Sequence, residues 1–287
     1  MVAAFAAILV TGIGVGQPAE AAVPRQVGSF AYTSTQPGAA TGDVASFDFQ
    51  NPEDPSLKPP AVVKMAIRGP DGAVVDTTVP PQCHASDAQL MVEGPAGCPA
   101  DSKVGSGTVV TDSGGGGPFP RYSTATISDF NNQDEVIGVA VSNDLPAIKT
   151  VDHTKIADHT STTTFPALTD LPPPDPVIAI KSLHFAFPPY VRAGHAYART
   201  PPTCPAVGYW TFMVTFTYSD GVTESIVSHS PCQSPQRSPT RPAGTMVPAT
   251  GPRHRSAKKG GRTHRRHRGR RSRRHNHHAR RRDRDAA

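Results

Sequence analysis

Trp210-Thr211-Phe212-Met213-Val214-Thr215-Phe216-Thr217-Tyr218-Ser219-Asp220-Gly221 alternates large apolar with mostly small polar side chains and then breaks into turn residues. A strand repeats every two residues, so Trp210, Phe212, Val214, Phe216 and Tyr218 share one face, while Thr211, Met213, Thr215 and Thr217 share the other. Ser219-Asp220-Gly221 suits a type I turn closed by glycine in the left-handed region. That turn sets Tyr218 opposite Val222 and Val214 opposite Ile226 on a returning strand. Cys204 and Cys232 flank the outer ends of this hairpin, close enough to staple it.

The same punctuation runs through the rest of the chain. Its 31 Pro and 25 Gly separate short runs rich in Val, Thr and Phe, and no long 3.6-residue period appears. A second hairpin is expected where Val63, Met65 and Ile67 alternate with Lys64 and Arg68, and Gly69-Pro70-Asp71-Gly72 turns the chain into Ala73-Val74-Val75. Further strands are expected at 29–33, 44–49, 104–111, 122–128, 136–141 and 177–187, where Leu183, Phe185 and Phe187 share a face and Pro188-Pro189 ends the run. Short strands at this spacing predict an all-β fold. Its class is an antiparallel β-sandwich, immunoglobulin-like in general architecture, built as one large or two small sandwiches. The weakly patterned segment 149–174 reads as a loop and is the place for any subdivision.

Four cysteines, Cys83, Cys98, Cys204 and Cys232, follow an export signal, so disulfides are expected. Four allow three pairings, and locality favours Cys83–Cys98 and Cys204–Cys232. Closing a loop of about 15 residues contributes on the order of 3 kcal/mol in the chain-entropy model. The spacings are far from the C-x₂₋₄-C of a zinc site, so no metal is assigned to them. Gly97-Cys98-Pro99-Ala100-Asp101-Ser102-Lys103-Val104-Gly105 resembles the Cys-Pro-x-x-Ser-x-Val-Gly motif of uncharacterised exported proteins from high-GC, actinobacterial-type bacteria. In those proteins a cysteine after a proline-rich approach, like Pro80-Pro81-Gln82-Cys83, is its partner. The stretch from Thr203-Cys204-Pro205 to Pro231-Cys232 is similar to their cysteine-bracketed C-terminal hairpin. The resemblance covers most of 62–232. It implies export, β structure and local cysteine pairing, and it implies no activity.

Residues 2–16 are apolar and uncharged, and Ala19-x-Ala21 offers small side chains to a signal peptidase, so 1–21 reads as a signal peptide. The stretch is shorter than the ~20 residues that cross a bilayer. A signal peptide ordinarily starts with a positive charge, and its lack leaves open whether Met1 is the true start. Val247-Pro248-Ala249-Thr250-Gly251 loosely matches a cell-wall sorting signal. Pro252-Arg253-His254-Arg255 follows it directly, with no apolar segment to halt the chain, so the match reads as chance.

The net charge of +6 hides a strong asymmetry. Residues 233–287 hold 18 of the 29 Lys and Arg against two acids, a charge of +16. Residues 1–232 hold the other 11 against 21 acids, a charge of −10. Residues 22–232 are thus an acidic β domain, 233–252 a Pro/Ser/Thr-rich linker, and 253–287 an Arg/His-rich tail. Almost no apolar side chain in the tail can offset the entropy of folding, which predicts disorder. The arginines expected to engage a polyanion are Arg262, Arg265, Arg266, Arg268, Arg270, Arg271, Arg273, Arg274, Arg280, Arg281 and Arg282. No aromatic residue is interleaved for base stacking, so the attraction is sequence-blind and salt-sensitive. The expected partners are an anionic cell-wall polymer, an acidic lipid surface or nucleic acid. Folding of the +16 arm back on the acidic body is a further possibility.

Chemistry-bearing candidates are few. Asp112-Ser113-Gly114-Gly115 resembles the nucleophile turn of trypsin-like serine proteases. The only histidine before it is His84, outside that family's context, and the four glycines read as a flexible connection. Asp152-His153-Thr154 and Asp158-His159-Thr160 form a small repeat with metal-ligand chemistry, and a polar loop is the preferred reading. His184 is expected to face solvent. No Gly-rich phosphate loop, paired-carboxylate motif or H-E-x-x-H occurs, and no cofactor is assigned. The expected function is therefore a secreted, non-enzymatic protein of the cell envelope, serving adhesion, scaffolding or ligand binding and retained by its basic tail. The alternatives are a secreted hydrolase with loop-borne catalytic residues and a sequence-nonspecific nucleic-acid-binding protein.

Overall fold

The computed structural model describes residues 23–115, 120–145, 148–167 and 177–233. The signal peptide, most of the linker and the basic tail with its eleven arginines lie outside the described residues. The elements in chain order are β1 Gln26–Tyr32, β2 Asp43–Phe49, β3 Val62–Arg68, β4 Val74–Val75, α1 Asp87–Glu93, β5 Lys103–Asp112, β6 Tyr122–Asn132, β7 Glu135–Ser142, β8 Lys149–Ala157, β9 Thr160–Thr164, β10 Ala179–Phe187, β11 Val191–Arg192, β12 His195–Ala196, β13 Ala198–Arg199, β14 Tyr209–Tyr218 and β15 Thr223–Pro231.

Eleven of these strands form one antiparallel sheet in the order β1-β2-β10-β5-β6-β7-β8-β9-β3-β14-β15. The sheet curls until its two halves face each other as sandwich layers do and its edge strands meet. Strand directions alternate along the order, so with an odd number of strands β1 and β15 run parallel. Their backbones do not share a ladder; serine hydroxyls bridge them instead. Ser228 Oγ accepts from Phe30 N–H at 2.9 Å and donates to Phe30 C=O at 2.8 Å, and Ser230 Oγ accepts from Tyr32 N–H at 3.1 Å. Arg25 adds an ion pair to Asp220 at 2.6 Å. The interior face is mostly apolar, with Phe47, Phe49, Phe212, Val214 and Phe216 buried there.

The opening hairpin forms as its alternation dictates. Trp210, Phe212, Val214, Phe216 and Tyr218 are all buried, Val214 lies opposite Ile226, and Gly221 turns the chain at φ 83°. Phe47 and Phe49 each pack edge-on against Phe216 with centroids 5.2 Å apart, and Phe30 and Phe212 lie at 4.7 Å. Cys204–Cys232 staples this hairpin and Cys83–Cys98 closes the other loop, with Cα–Cα distances of 5.6 and 5.1 Å, so the local pairing is the one formed. Disulfides of this kind fit an oxidising compartment. Among the described residues no helix is long and apolar enough to cross a membrane.

Two expectations change. The turn at 69–72 forms, with Ala73 N–H donating to Pro70 C=O, but the residues after it do not return along β3. Both edges of β3 are already taken by β9 and β14, so β4 leaves the sheet and pairs with β13. A bulge in the β14–β3 pairing, where the register jumps from Lys64 to Val62, turns Val63 outward and puts Val62 beside Met65 and Ile67 inside. The described part of the segment 149–174, residues 149–167, is not a loop. Residues 149–157 and 160–164 are β8 and β9, adjacent members of the single sheet, so there is one large sheet and no subdivision there.

The loop between Cys83 and Cys98 carries α1. Ser86 Oγ caps it by accepting from Gln89 N–H, Asp87 sits in its first turn against the helix dipole, and Gly94 ends it at φ 64°. Its one buried side chain, Leu90, packs with Cys83, Cys98, Phe130, Ile137 and Val139 on the outer face of β6 and β7. The middle of the sheet is thus covered on both faces.

Candidate functional site

Seven adjacent strands carry one level of residues around the interior. Tyr32 on β1 pairs with Asp43 on β2, which pairs with Phe187 on β10; Gly105 on β5 pairs with Asp129 on β6, which pairs through Gly138 on β7 with Asp152 on β8. The two halves of this row meet where the Phe187 ring lies over Gly105, since a Cβ there would stand 2.8 Å from Cε1. Gly138 has the same relation to Asp152, whose Oδ1 and Oδ2 would be 2.6 and 2.7 Å from a Cβ. A Cβ on Gly105 would also stand 3.0 Å from Asp129 Oδ2. The glycines are therefore the space into which the two carboxylates lean.

The row lines a cavity of about 550 Å³ in the end of the rolled sheet where β4 and β13 cross. That size falls among pockets for drug-sized ligands, roughly 300–1,000 Å³. Its walls are Phe30, Met65, Ile67, Val136, Phe185 and Phe212, with Tyr32, Asp43, Asp129, Asp152 and Tyr197 as polar insertions. A second cavity of about 170 Å³ lies toward the opposite end, and Ile127, Asp152, Phe165 and Leu183 border both. Asp43 and Asp152 are only half-buried as residues because the surface they keep faces the cavity. Asp43 Oδ1 and Asp129 Oδ2 are shut off from solvent, and neither has a hydrogen-bond partner.

Burial pushes the Asp43 carboxyl up to about 7. Asp129 is pushed up to about 8, first by burial and then by the charges of Asp152 and Asp43, with Lys103 pulling the other way. Burial takes Asp152 up to about 6 against the opposing effect of His153. The Tyr32 and Tyr197 phenols are raised too, by burial first and then by Asp43, with Asp129 adding to Tyr197. Lys103 is exposed and donates to Ser128 Oγ at 3.1 Å, so it does not pair with the interior acids.

The Asp-His repeat sits at the rim. Asp158 and His159, at φ 47° and 60°, make the two-residue turn between β8 and β9, a left-handed pair of the kind such hairpins need. His159 Nδ1 lies 3.0 Å from Ala73 C=O and its own carbonyl accepts from Gly69 N–H, which ties the hairpin tip to the turn after β3 at the cavity mouth. Strand alternation sends Asp152 inward and His153 outward. There His153 meets Asp87 of α1 at 3.0 Å and Glu135 at 3.3 Å. Burial pulls the His153 imidazole down, but these two acids outweigh it and its pKa is raised. The polar-loop reading of this repeat is thus replaced by a strand hairpin whose two acids, Asp152 and Asp158, both line the cavity. Among the described residues no group of three or more His, Cys, Asp and Glu is placed to hold a metal ion.

Ser113 donates to Pro120 C=O at 3.1 Å and accepts from Gly115 N–H at 3.4 Å, bonds of a turn rather than of a base-activated nucleophile. His84 is exposed, as is His184 on the outward face of β10. Asp43 and Asp129 escaped the sequence reading: Asp43 lies just before the expected 44–49 strand and Asp129 just past the expected 122–128 strand. The signal was there in the alternation Ile127, Asp129, Asn131, which continues β6 to Asn132. No protein-family model, curated protein or solved structure matches this chain.

Proposed function

We propose that this is an exported, non-enzymatic binding protein that holds a small amphiphilic molecule inside its rolled sheet. The observation that carries this reading is the cavity of about 550 Å³, apolar over most of its wall with a few convergent polar groups. A folded sheet normally packs its interior close to crystal density, so a void of this size lined by unpartnered polar atoms calls for an occupant. The two disulfides support export. The +16 charge of 233–287 supports retention at the envelope through an anionic wall polymer, an acidic lipid surface or nucleic acid.

The test is calorimetric titration of the full chain with decanol and with decylammonium, repeated on Thr154→Phe, which puts a ring into the cavity. Saturable one-to-one binding of either probe, lost in the variant while cooperative melting persists, is the expected result. No binding of either probe would overturn the reading.

A further inference from the structure

The cavity's charged groups are nearly all acids: Asp134 and Asp158 line it beside Asp43, Asp129 and Asp152, and His159 is the one titratable base among its described lining residues. Three strands far apart in sequence, β2, β6 and β8, each deliver an aspartate to the same level of the interior, and no Lys or Arg is among the described residues that line it. Asp129 is 8 % exposed, and its Oδ2 has no hydrogen-bond partner. Chance burial of one acid would be tolerated at a cost; three on one level, with glycines at 105 and 138 making room for two of them, is a built arrangement. Isolated buried carboxylates are costly unless paired, so the arrangement is stable in charged form only with a cation present. Tyr32 and Phe187 flank Asp43 on the row and line the cavity, and aromatic rings attract cations too. Around these groups the wall is apolar.

We propose that the occupant is a cationic amphiphile, an ammonium group attached to an apolar body. Its head sits among Asp43, Asp129 and Asp152, and its body runs along Phe30, Met65, Ile67 and Phe212. The proposal rests on the reading of the interior as a ligand site and adds the ligand's charge. A metal ion alone does not suit the site, since the wall is mostly apolar and the acids are not clustered for coordination. A fatty acid would set a fourth acid among three. The groups acting on Asp129 are Asp152, Asp43 and Lys103, and Lys103 stays outside the cavity. Since burial and mutual repulsion hold these acids partly protonated near neutrality, seating an ammonium ionises them. Proton release on binding therefore accompanies uptake.

The experiment is calorimetric titration of the full chain with decyltrimethylammonium, decanol and calcium chloride, at about neutral pH in two buffers of different ionisation enthalpy. The cation is expected to bind on the order of tenfold or more tighter than the alcohol and to release protons. Asp129→Asn, close in size, is expected to remove most of that preference, weakening the cation far more than decanol. Asp152→Asn serves the same purpose if Asp129→Asn does not fold. Equal affinity for cation and alcohol, insensitive to either variant, would overturn the cationic ligand while leaving the interior site standing. Tight calcium binding that depends on these aspartates would overturn it in favour of a metal. Failure of both organic probes would overturn the site itself.

Discussion

Asp129 is held in the folded protein where its charged form is disfavoured, and so are Asp43 and Asp152. In the unfolded chain each would titrate near the ordinary ~3.9. The folded state therefore binds more protons between that value and about 8, and stability must fall as pH rises through that window. The contribution is fully present below the unfolded value and lost as the pH passes about 6, 7 and 8 for Asp152, Asp43 and Asp129. His153, raised by Asp87 and Glu135, adds to the same trend, since its stabilisation is lost above its folded value. Melting of the ligand-free protein should occur at a higher temperature at about pH 5 than at about pH 8.5, and Asp129→Asn should flatten the difference. A melting temperature that rises with pH would contradict the buried-acid geometry. Gly138 gives a second prediction. A methyl group there collides with the Asp152 carboxylate, so Gly138→Ala should destabilise by roughly 1–3 kcal/mol in denaturant unfolding. The loss should shrink in an Asp152→Ala background if the collision is its cause.

The strands show which physical signals a sequence carries openly. β14 and β15 were legible because Trp210 to Tyr218 alternate with Met213 as the one exception and Gly221 fixes the turn. β8 and β9 were not, because their inward positions include Asp152, Thr154 and Thr163, and a strand with a polar inner face has the pattern of a loop. The residues that make the site are the ones that hide the element, since function breaks the rule that interior means apolar. Pairing partners were equally hidden: nothing local says that β4 abandons β3 for β13. The β1–β15 seam is held differently from every other junction in the sheet, by the hydroxyls of Ser228 and Ser230. Ser228→Ala leaves both the N–H and C=O of Phe30 without that partner. It should cost about 1–3 kcal/mol in unfolding and speed hydrogen exchange at the Phe30 amide well beyond that of amides in β6. Unchanged exchange at Phe30 would mean that the seam is closed by something else.

Taken whole, the chain joins an acidic body with an acid-lined interior to a basic extension, and in the proposed function the two charges serve different partners. The seam, the two disulfides and the covered outer face of β6 and β7 tie the body together around its cavity, while the 18 basic residues after 232 are the proposed surface anchor. Retention of the full chain on vesicles rich in acidic lipid, or on isolated wall polymer, should fall steeply with salt. A chain ending at Gln233 should not be retained even at low salt. Equal retention of the two would assign surface binding to the body. The interior site is the claim on which the rest turns, and residue-resolved NMR of the full chain titrated with decyltrimethylammonium addresses it most directly. Chemical-shift changes should concentrate on Phe30, Ile67, Val136, Asp129 and Phe212, all facing the cavity, and leave the outward-facing Val92, Met213 and Val227 still. Changes confined to those outer residues would contradict it.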